Sequence, residues 1–444
     1  WPSFLRGRRE NGMDLHLPAG LRRPHRPASV AHPLRDRLAA HVASSTLSLL
    51  DPDRIEAMAE DMRIVELHRL HHAGLVVCAV VLSAFEQGSD TEGRWLDAQR
   101  VYEELGGPVS GSTSFRNMGR KMFPVMQKML RRRVEELILE TQSHVLKGRL
   151  AAFRDVLIPD GCAFKLASIL SGISPGTGQP AELKLHAVYS LRAKTAITVL
   201  PTAGSVHDSD GFWPERWEAG ALYIYDLGYQ SNDRFVEASL AHAHLLQRLK
   251  ETVNPVVVAS YGPTGYRRVL RHEDGSPMRL KEACTFGHVH QQEVLDLDVE
   301  VTDGEGRTII ARVVCVPVDG EDHYYLSTLP RATFTPFDLA ELYRVRWEVE
   351  LFFRNWKGGV RMDHVHRLRN PTSLAVAVMA SMLAALLSRD IATGLERLQE
   401  EDLALAQASA LRQTPPAPRA FPPSGVDASR ALRTHSTRPI SRST

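Results

Sequence analysis

The sequence PFDLAELYRVRWEVELFFRNWK, residues 336–357, decides how the rest of the chain is interpreted. It contains no glycine, and its one proline stands first, where a helix tolerates proline because that backbone N–H would be unpaired anyway. Thr335 precedes it as a candidate N-cap. Asp338 adds a carboxylate to the first turn, where the helix dipole favours negative charge. The stretch therefore predicts one continuous helix.

Four polar side chains share a narrow stripe of this predicted helix. Tyr343, Arg346, Glu350 and Lys357 fall within about 60° of one another at roughly 100° per residue. The other faces are largely apolar, so most of the helix should be buried. A buried carboxylate is costly unless it is paired or binds a metal. The stripe is therefore either a structural ion pair between Arg346 and Glu350 or part of a functional site.

The stripe resembles the Tyr-x2-Arg-x3-Glu-x6-Lys signature of bacterial insertion-sequence transposases, in the family named after insertion sequence four. All four positions match, and the aromatic setting RWEVELFF is also similar to that family. The resemblance implies that Glu350 is the third acid of an Asp-Asp-Glu metal site. It also implies that Tyr343, Arg346 and Lys357 hold DNA near the cleaved bond.

The composition sets broad bounds on the protein class. The chain has 444 residues, 43% of them hydrophobic, which is enough for a sizeable core in two or three domains. The formal charge of +2 neither requires nor excludes nucleic acid. Four scattered cysteines argue against a disulfide framework and fit a reducing cytoplasm. The apolar runs 73–85 and 374–387 are shorter than the ~20 residues that span a bilayer, so no membrane location is predicted.

The N-terminal part of the chain predicts helices. Residues 1–33 are rich in Arg, Pro and Gly and are expected to be disordered, whereas residues 34–147 predict helices. The resemblance implies that residues 34–147 form a helical DNA-binding domain. A basic stretch within it, residues 110–134, contains no acid and suits phosphate contact, although a solvated basic face explains it equally well. The residues predicted to contact DNA at the start of a recognition-type helix are Arg116, Arg120 and Lys121.

The rest of the chain predicts a mixed sheet. Residues 148–250 read as three strands in a meander, a buried strand, a helix and a further strand, and residues 318–400 add a strand and further helices. This order is that of an RNase H-like fold. The predicted fold class is therefore α/β, an RNase H-like catalytic core preceded by an all-α N-terminal domain. Residues 251–317 are a β-rich insertion with a basic first half, and the Pro-, Ser- and Arg-rich residues 413–444 predict a disordered tail.

Two of the core strands carry an aspartate with a glycine close behind it. Asp160 interrupts an apolar run and is followed by Gly161. In ALYIYDLGY, residues 221–229, Asp226 follows the apolar run ALYIY and precedes Gly228 by two residues. We expect each carboxylate to lie at a strand end, where glycine lets the chain turn away and leaves the site open. The resemblance implies that these are the first and second acids. Competing acids nearby are Asp155, Asp208 and Asp210.

One position departs from the family pattern. Cys162 stands two residues after the first aspartate, where the family commonly has Thr or Ser. By contrast, Lys184 and His186 match the Lys-x-His often found on the family's second strand.

Asp160, Asp226 and Glu350 together offer hard oxygen ligands for two Mg²⁺ or Mn²⁺ ions. By resemblance, water first cleaves DNA at the element's end, and the resulting 3′-hydroxyl attacks target DNA, with the protein acting as a homodimer on DNA. A catalytically inactive DNA-binding protein is an alternative, which Cys162 favours. A metal-independent glycosidase needs only two acids and is a third class.

Overall fold

The structure of the protein is a computed structural model. Helices α1 to α6 occupy its N-terminal part. The structure describes residues 33–64, 71–86, 94–109, 111–211, 214, 216–250, 252–262, 265–289, 294–318 and 320–413. Apart from their boundary residues, the predicted disordered ends lie outside these ranges. The six helices are α1 (Pro33–Leu49), α2 (Pro52–Asp61), α3 (Ala73–Leu82), α4 (Arg94–Glu104), α5 (Ser112–Lys121) and α6 (Phe123–Thr141).

Local sequence explains where these helices begin and which of them is buried. The Asp51 side chain accepts hydrogen bonds from the backbone N–H groups of Asp53 and Arg54, and Pro52 opens α2. Helix α3, AGLVVCAVVL, is apolar on every side and almost wholly buried, as its composition predicts. The described residues up to Leu395 form one compact unit. The division of the chain into the domains named above stays a prediction.

The described strands join in one ten-stranded sheet, in the order β3-β2-β1-β4-β5-β10-β9-β8-β6-β7. In chain order they are β1 (Val156–Lys165), β2 (Glu182–Ser190), β3 (Thr195–Ala203), β4 (Leu222–Tyr225), β5 (His244–Arg248), β6 (Val257–Tyr261), β7 (Arg267–Arg268), β8 (Leu295–Thr302), β9 (Thr308–Val318) and β10 (Glu321–Ser327).

The first five strands combine antiparallel and parallel pairing. Strands β1, β2 and β3 pair antiparallel, whereas β4 is parallel to β1 and β5 is parallel to β4. Parallel neighbours need a crossover, and α8 (Asn232–Leu240) provides it between β4 and β5, whereas the short helix α7 (Asp208–Gly211) precedes β4. Alternate side chains of β1 enter the two faces of the sheet: Ile158 joins one apolar core and Leu157 the other.

Strands β6 to β9 lie almost wholly within residues 251–317, the predicted insertion, and extend the same sheet. Strand β10 pairs antiparallel with both β5 and β9, so the insertion is joined to the first five strands by main-chain hydrogen bonds. The insertion also contains α9 (Leu280–Val289). A hairpin joins β8 and β9, and Gly306 supplies its positive φ of 82°.

The stretch 336–357 is two helices, so the prediction of one continuous helix is wrong. Helix α10 (Pro336–Arg344) begins with the capping box between Thr335 and Asp338 that the sequence suggested, and α11 (Trp347–Arg354) follows. Between them, the N–H groups of Val345 and Arg346 bond to carbonyls three residues back, which tightens the chain into a 3₁₀ step. A π-helical turn, Asn355–Gly359, continues from α11.

The long helix α12 (Pro371–Gln413) follows α11. It is longer than the apolar run read from the sequence, and its part Pro371–Ala404 is long and apolar enough to cross a membrane. In that helix the most apolar window is 67% buried within the protein, as in the core helix of a globular domain. Its residues Val376, Leu383 and Leu387 lie in the same apolar core as Val349 of α11.

Candidate active site

The two predicted aspartates lie side by side on neighbouring parallel strands. Leu157 of β1 is paired with Tyr223 of β4, and each aspartate is three residues further along its strand direction. Asp160 and Asp226 are therefore at the same level and on the same side of the sheet, because side chains alternate along a strand. The sheet brings together two acids that are far apart in sequence.

Arg346 connects all three predicted acids. Its Nη1 lies 3.7 Å from Asp160 Oδ2, its Nε lies 3.8 Å from Asp226 Oδ1, and its Nη2 lies 2.5 Å from Glu350 Oε1. Tyr343 donates a hydrogen bond of 3.2 Å from its hydroxyl to Asp226 Oδ1. The three acids and two members of the polar stripe thus form one cluster. The 3₁₀ step at Arg346 lies beside these contacts.

Gly161 has a different role from the one predicted. Strand β1 continues to Lys165, so Asp160 lies within the strand and the chain does not turn away after it. A Cβ at position 161 would lie 3.0 Å from both Asp208 Oδ1 and the Tyr229 hydroxyl. Glycine is needed there because other groups approach the backbone closely. Asp226, in contrast, does lie directly after β4, as predicted.

Burial and nearby charge shift the pKa values of this cluster. Burial raises the pKa of Asp160 to about 6, against the opposing effects of the Gly161 N–H and Arg346. Burial and the Asp226 charge raise the pKa of the Tyr343 phenol, which stays protonated and able to donate. Burial lowers the pKa of Arg346, but Tyr343, Asp226 and Glu350 outweigh it and the net shift is upward.

Lys357, the last residue of the polar stripe, packs against the strand that carries Asp160. Its Nζ lies 5.7 Å from the centre of the Phe164 ring. Burial raises the pKa of the nearby Cys162 thiol, and the Lys357 ammonium opposes that shift. The residue that departs from the family pattern therefore lies close to a residue of the predicted site. Sequence reasoning noted both residues but gave no sign that they meet.

The competing acids occupy different surroundings. Asp155 is buried, and its carboxylate accepts hydrogen bonds from the Ser190 hydroxyl at 2.6 Å and from the backbone N–H of Arg192 at 3.1 Å. These bonds give Asp155 a structural role at the start of β1. Asp208 forms an ion pair of 3.2 Å with Lys184 and lies near Gly161, so it borders the cluster.

The residues predicted to contact DNA in the helical part lie on α5. Arg120 donates a hydrogen bond of 2.8 Å from Nε to the Ser373 hydroxyl of α12, Arg116 is partly buried, and Lys121 is exposed. In α6, which completes the basic stretch, Lys128 pairs with Asp61 and Arg133 pairs with Asp390. Acids from distant parts of the chain thus neutralise part of the basic stretch.

The cluster of three carboxylates is suited to a cation. Within the described ranges, no group of three or more His, Cys, Asp or Glu side chains stands ready-made as a metal cluster. The Arg346 guanidinium instead lies within 4 Å of all three carboxylates, and its Nε is buried without a hydrogen-bond partner. Carboxylates are the hard oxygen ligands that Mg²⁺ and Mn²⁺ prefer. The donor set therefore fits such an ion once Arg346 moves aside.

Comparison with known proteins identifies the family of this chain. A family model described as "Transposase DDE domain" matches residues 152–387, a range that contains all three. The chain is 19% identical over 355 residues to "Transposase for insertion sequence element IS231F" of Bacillus thuringiensis subsp. israelensis, which covers 72% of this chain and 73% of that protein. It is 20% identical over 262 residues to "Transposase for insertion sequence element IS231B" of Bacillus thuringiensis subsp. berliner, covering 51% and 54%.

Proposed function

Because this chain belongs to the family of transposases with a DDE domain, we propose that Asp160, Asp226 and Glu350 are its two catalytic aspartates and its catalytic glutamate. The observation that carries the proposal is the contact of all three with one guanidinium, that of Arg346. The three acids surround one cation, and on this proposal they draw together around a metal once Arg346 leaves. The match of the neighbouring β1 and β4 registers supports the same assignment.

We further propose that strands β1 to β5 are an RNase H-like catalytic core. The strand order β3-β2-β1-β4-β5, with the first three antiparallel and the next two parallel to β1, supports this. On this proposal the catalytic core comprises residues 148–250 and 318–400, residues 251–317 are an insertion, and residues 34–147 are a DNA-binding domain.

The proposed reaction is cleavage and rejoining of DNA at the ends of an insertion sequence. Water attacks a phosphodiester and releases a 3′-hydroxyl, which then attacks a phosphodiester of the target DNA; each step breaks one P–O bond and forms another. Two Mg²⁺ or Mn²⁺ ions, when bound, activate the attacking oxygen and stabilise the leaving oxygen. No nucleophile from the protein is needed.

The side chains of the cluster have distinct tasks in this reaction. Asp160, Asp226 and Glu350 hold the cations, and the Tyr343 hydroxyl orients Asp226 through its hydrogen bond. Arg346, once displaced from the carboxylates, can bond to a phosphate through two N–H groups, and Lys357 can neutralise a second phosphate. Arg116, Arg120 and Lys121 are proposed to contact the DNA backbone outside the active site. The partner is DNA, bound by a homodimer in the bacterial cytoplasm.

Nicking of a supercoiled plasmid that carries the cognate ends tests this function. We expect Mg²⁺-dependent nicking by the wild type, and a loss of at least 100-fold for Glu350→Gln, because that change removes a charge that the metal needs. Glu348→Gln is the matched control, since Glu348 is an exposed acid of the same helix. It should nick like the wild type. Undiminished nicking by Asp226→Asn would overturn the assignment of the acids.

The same experiment separates the catalytic protein from an inactive DNA-binding relative. An inactive protein would bind the cognate ends as tightly as an active one, yet would not nick them with Mg²⁺ or Mn²⁺. A glycosidase would leave DNA intact and hydrolyse sugars in the presence of EDTA.

A further inference from the structure

One side-chain hydrogen bond joins the two segments that carry the aspartates. His186 of β2 lies opposite Gly161 in the sheet, next to Asp160, and Tyr229 lies three residues after Asp226. His186 Nδ1 and the Tyr229 hydroxyl are 3.1 Å apart. The exposed fraction of Tyr229 is 2% and that of His186 is 0%, so the bond is shielded from water.

The direction of this hydrogen bond follows from its neighbours. His186 Nε2 lies 3.0 Å from the Thr202 hydroxyl, and that hydroxyl donates its proton to the carbonyl of Ala203 at 3.3 Å. Thr202 must therefore accept from Nε2–H. Burial also lowers the pKa of His186, which favours the neutral ring. A neutral ring protonated at Nε2 has Nδ1 as an acceptor, so Tyr229 donates to it.

Close packing keeps Tyr229 in place. A Cβ on residue 161 would be 3.0 Å from the Tyr229 hydroxyl and 3.4 Å from His186 Nδ1, so the backbone of β1 rests directly against this bond. The backbone carbonyl of Tyr229 accepts a hydrogen bond of 2.7 Å from the buried Arg234. The residue is therefore held at both its hydroxyl and its carbonyl. Neither His186 nor Tyr229 contacts the three acids through a hydrogen bond described in the structure.

We propose that Tyr229 and His186 are positioning residues that hold Asp160 and Asp226 at the separation that a divalent cation requires. The inference rests on the proposed function, since it concerns the same metal site. Asp160 is fixed on β1, whereas Asp226 lies just beyond the end of β4, where no strand hydrogen bonds hold it. The backbone N–H of Tyr229 donates to the Asp226 carbonyl at 3.0 Å, so the bond from Tyr229 to His186 ties this turn to β2. Groups that orient metal ligands commonly change metal affinity by 10- to 100-fold when removed.

Two substitutions of His186 distinguish the Nδ1 acceptor from the rest of the ring. In His186→Asn the side-chain oxygen can take the place of Nδ1 and still accept from Tyr229. In His186→Gln the terminal amide reaches the region of Nε2 and can donate to Thr202, but the acceptor for Tyr229 is lost. Tyr229→Phe removes the donor directly. A merely structural role would give similar losses for both His186 variants.

The test is a titration of the full chain with Mn²⁺ in the absence of DNA. The electron paramagnetic resonance signal of the free ion measures how much Mn²⁺ is bound. We expect Tyr229→Phe and His186→Gln to raise the dissociation constant of Mn²⁺ by about 10- to 100-fold. In His186→Asn the logarithm of the Mn²⁺ dissociation constant should increase by no more than half as much as in His186→Gln. Affinity for cognate-end DNA in EDTA should be unchanged in all three, which shows that each variant is folded.

The outcome also separates this inference from the proposed function. If Asp226→Asn leaves Mn²⁺ binding unchanged, the proposed metal site itself is wrong. If Asp226→Asn abolishes binding while Tyr229→Phe and His186→Gln bind like the wild type, the acids stand and the positioning role is overturned. Equal losses in His186→Asn and His186→Gln would also overturn it.

Discussion

Arg346 donates a hydrogen bond of 2.5 Å to Glu350, four residues further along the chain. The same guanidinium lies 3.7 Å from Asp160 and 3.8 Å from Asp226, so the pair is part of a larger set of contacts. The structural ion pair and the proposed catalytic site, which were alternatives in the sequence, therefore involve the same residues. Arg346 supplies positive charge to all three neighbouring carboxylates.

Removal of Arg346 should destabilise the metal-free protein. In EDTA at pH 7.5, Arg346→Ala leaves three acids without their shared cation, and we expect a loss of about 1–3 kcal/mol in the free energy of unfolding. Mg²⁺ should then stabilise the variant more than the wild type, because the ion no longer competes with a guanidinium. Thermal unfolding with and without Mg²⁺ measures both effects.

Arg354→Ala is the control for this prediction. Arg354 is an exposed arginine of α11, and its guanidinium lies 6.0 Å from the centre of the Trp347 ring. Its removal should change the melting temperature little, and Mg²⁺ should shift it by the same amount as in the wild type. An Mg²⁺ shift in Arg346→Ala no larger than the wild-type shift would contradict the proposed competition.

The pH dependence of stability should report the buried Asp160. Burial raises its pKa to about 6 in the folded protein, from about 4 in an unfolded chain. Between these values the folded state binds more protons than the unfolded state, so the contribution of Asp160 to stability falls as the pH rises through this window. Asp160→Asn removes that cost. In EDTA it should be more stable than the wild type above pH 6, by roughly 2–3 kcal/mol, and show little difference below about pH 4.

Urea unfolding at a series of pH values checks this prediction. A stability difference that is constant from pH 4 to pH 8 would show that Asp160 titrates near its ordinary pKa. The same variant should not nick DNA with Mg²⁺, so it exchanges function for stability. Such an exchange is typical of charged residues kept at active sites.

Hydrophobic periodicity predicted most of the strands, and the family resemblance supplied the three proposed acids. The alternating and continuous apolar runs mark β1 to β5 because a strand half or fully buried in a sheet needs such a pattern. Asp160 and Asp226 were visible because each interrupts or ends an apolar run. The sequence did not predict that the two aspartates lie at the same height on the sheet. That placement depends on the register between β1 and β4, which pairs residues separated by sixty-odd others in the chain.

Other features depend on contacts that no local pattern encodes. The 3₁₀ step at Val345 and Arg346 involves no proline or glycine, so the sequence still reads as one helix. Lys128 and Arg133 read as free basic residues because their partners, Asp61 and Asp390, are 67 and 257 residues away. The close contacts at Gly161 come from equally distant groups, which is why a turn was predicted there.

Substitution of Gly161 should affect the metal site more than the fold. In Gly161→Ala the new methyl group meets the Tyr229 hydroxyl and Asp208 at 3.0 Å, and the buried Tyr229 has little room to move. We expect a cost of about 1–3 kcal/mol in stability and a loss of Mn²⁺ affinity. Gly172→Ala is the control, because a Cβ at position 172 has nothing within 4 Å. Equal Mn²⁺ affinity in the two variants would show that this packing is unimportant.

Cys162 should tolerate serine better than alanine. Its thiol lies near the Lys357 ammonium, and a serine hydroxyl at this position can accept a hydrogen bond from that group. In Cys162→Ala the ammonium group of Lys357 has no such acceptor at residue 162. We expect Cys162→Ser to nick plasmid within about threefold of the wild type and Cys162→Ala to lose about tenfold, which corresponds to one charge-assisted hydrogen bond.

The order of the two Cys162 variants is the informative result. Both remove the sulfur, so a thiol required for chemistry would make them equally inactive. Equal and full activity of both would show that Lys357 does not depend on residue 162. Neither result would affect the assignment of the three acids, which Glu350→Gln tests separately.

A buried charge network joins the proposed insertion to the start of α10. Arg312 of β9 bonds through two nitrogens to Asp296 of β8, at 2.8 and 2.7 Å, and through a third to the backbone carbonyl of Phe334 at 2.7 Å. Phe334 immediately precedes Thr335, the N-cap of α10. Arg331 bonds to the same Asp296 at 2.9 and 3.0 Å. The start of α10 is therefore held by residues of the insertion.

Arg312→Met should destabilise the protein strongly, because the buried carboxylate of Asp296 loses one of its two arginine partners. We expect a loss of about 3–5 kcal/mol in the free energy of unfolding. The double variant Arg312→Met with Asp296→Leu removes both charges and should recover part of that loss, since an uncompensated buried charge costs more than an absent pair. A double variant less stable than Arg312→Met would show that Asp296 is sufficiently satisfied by Arg331 alone. In that case the tie from the insertion to α10 runs through Arg331, and Arg331→Met should be the more damaging single change in urea unfolding.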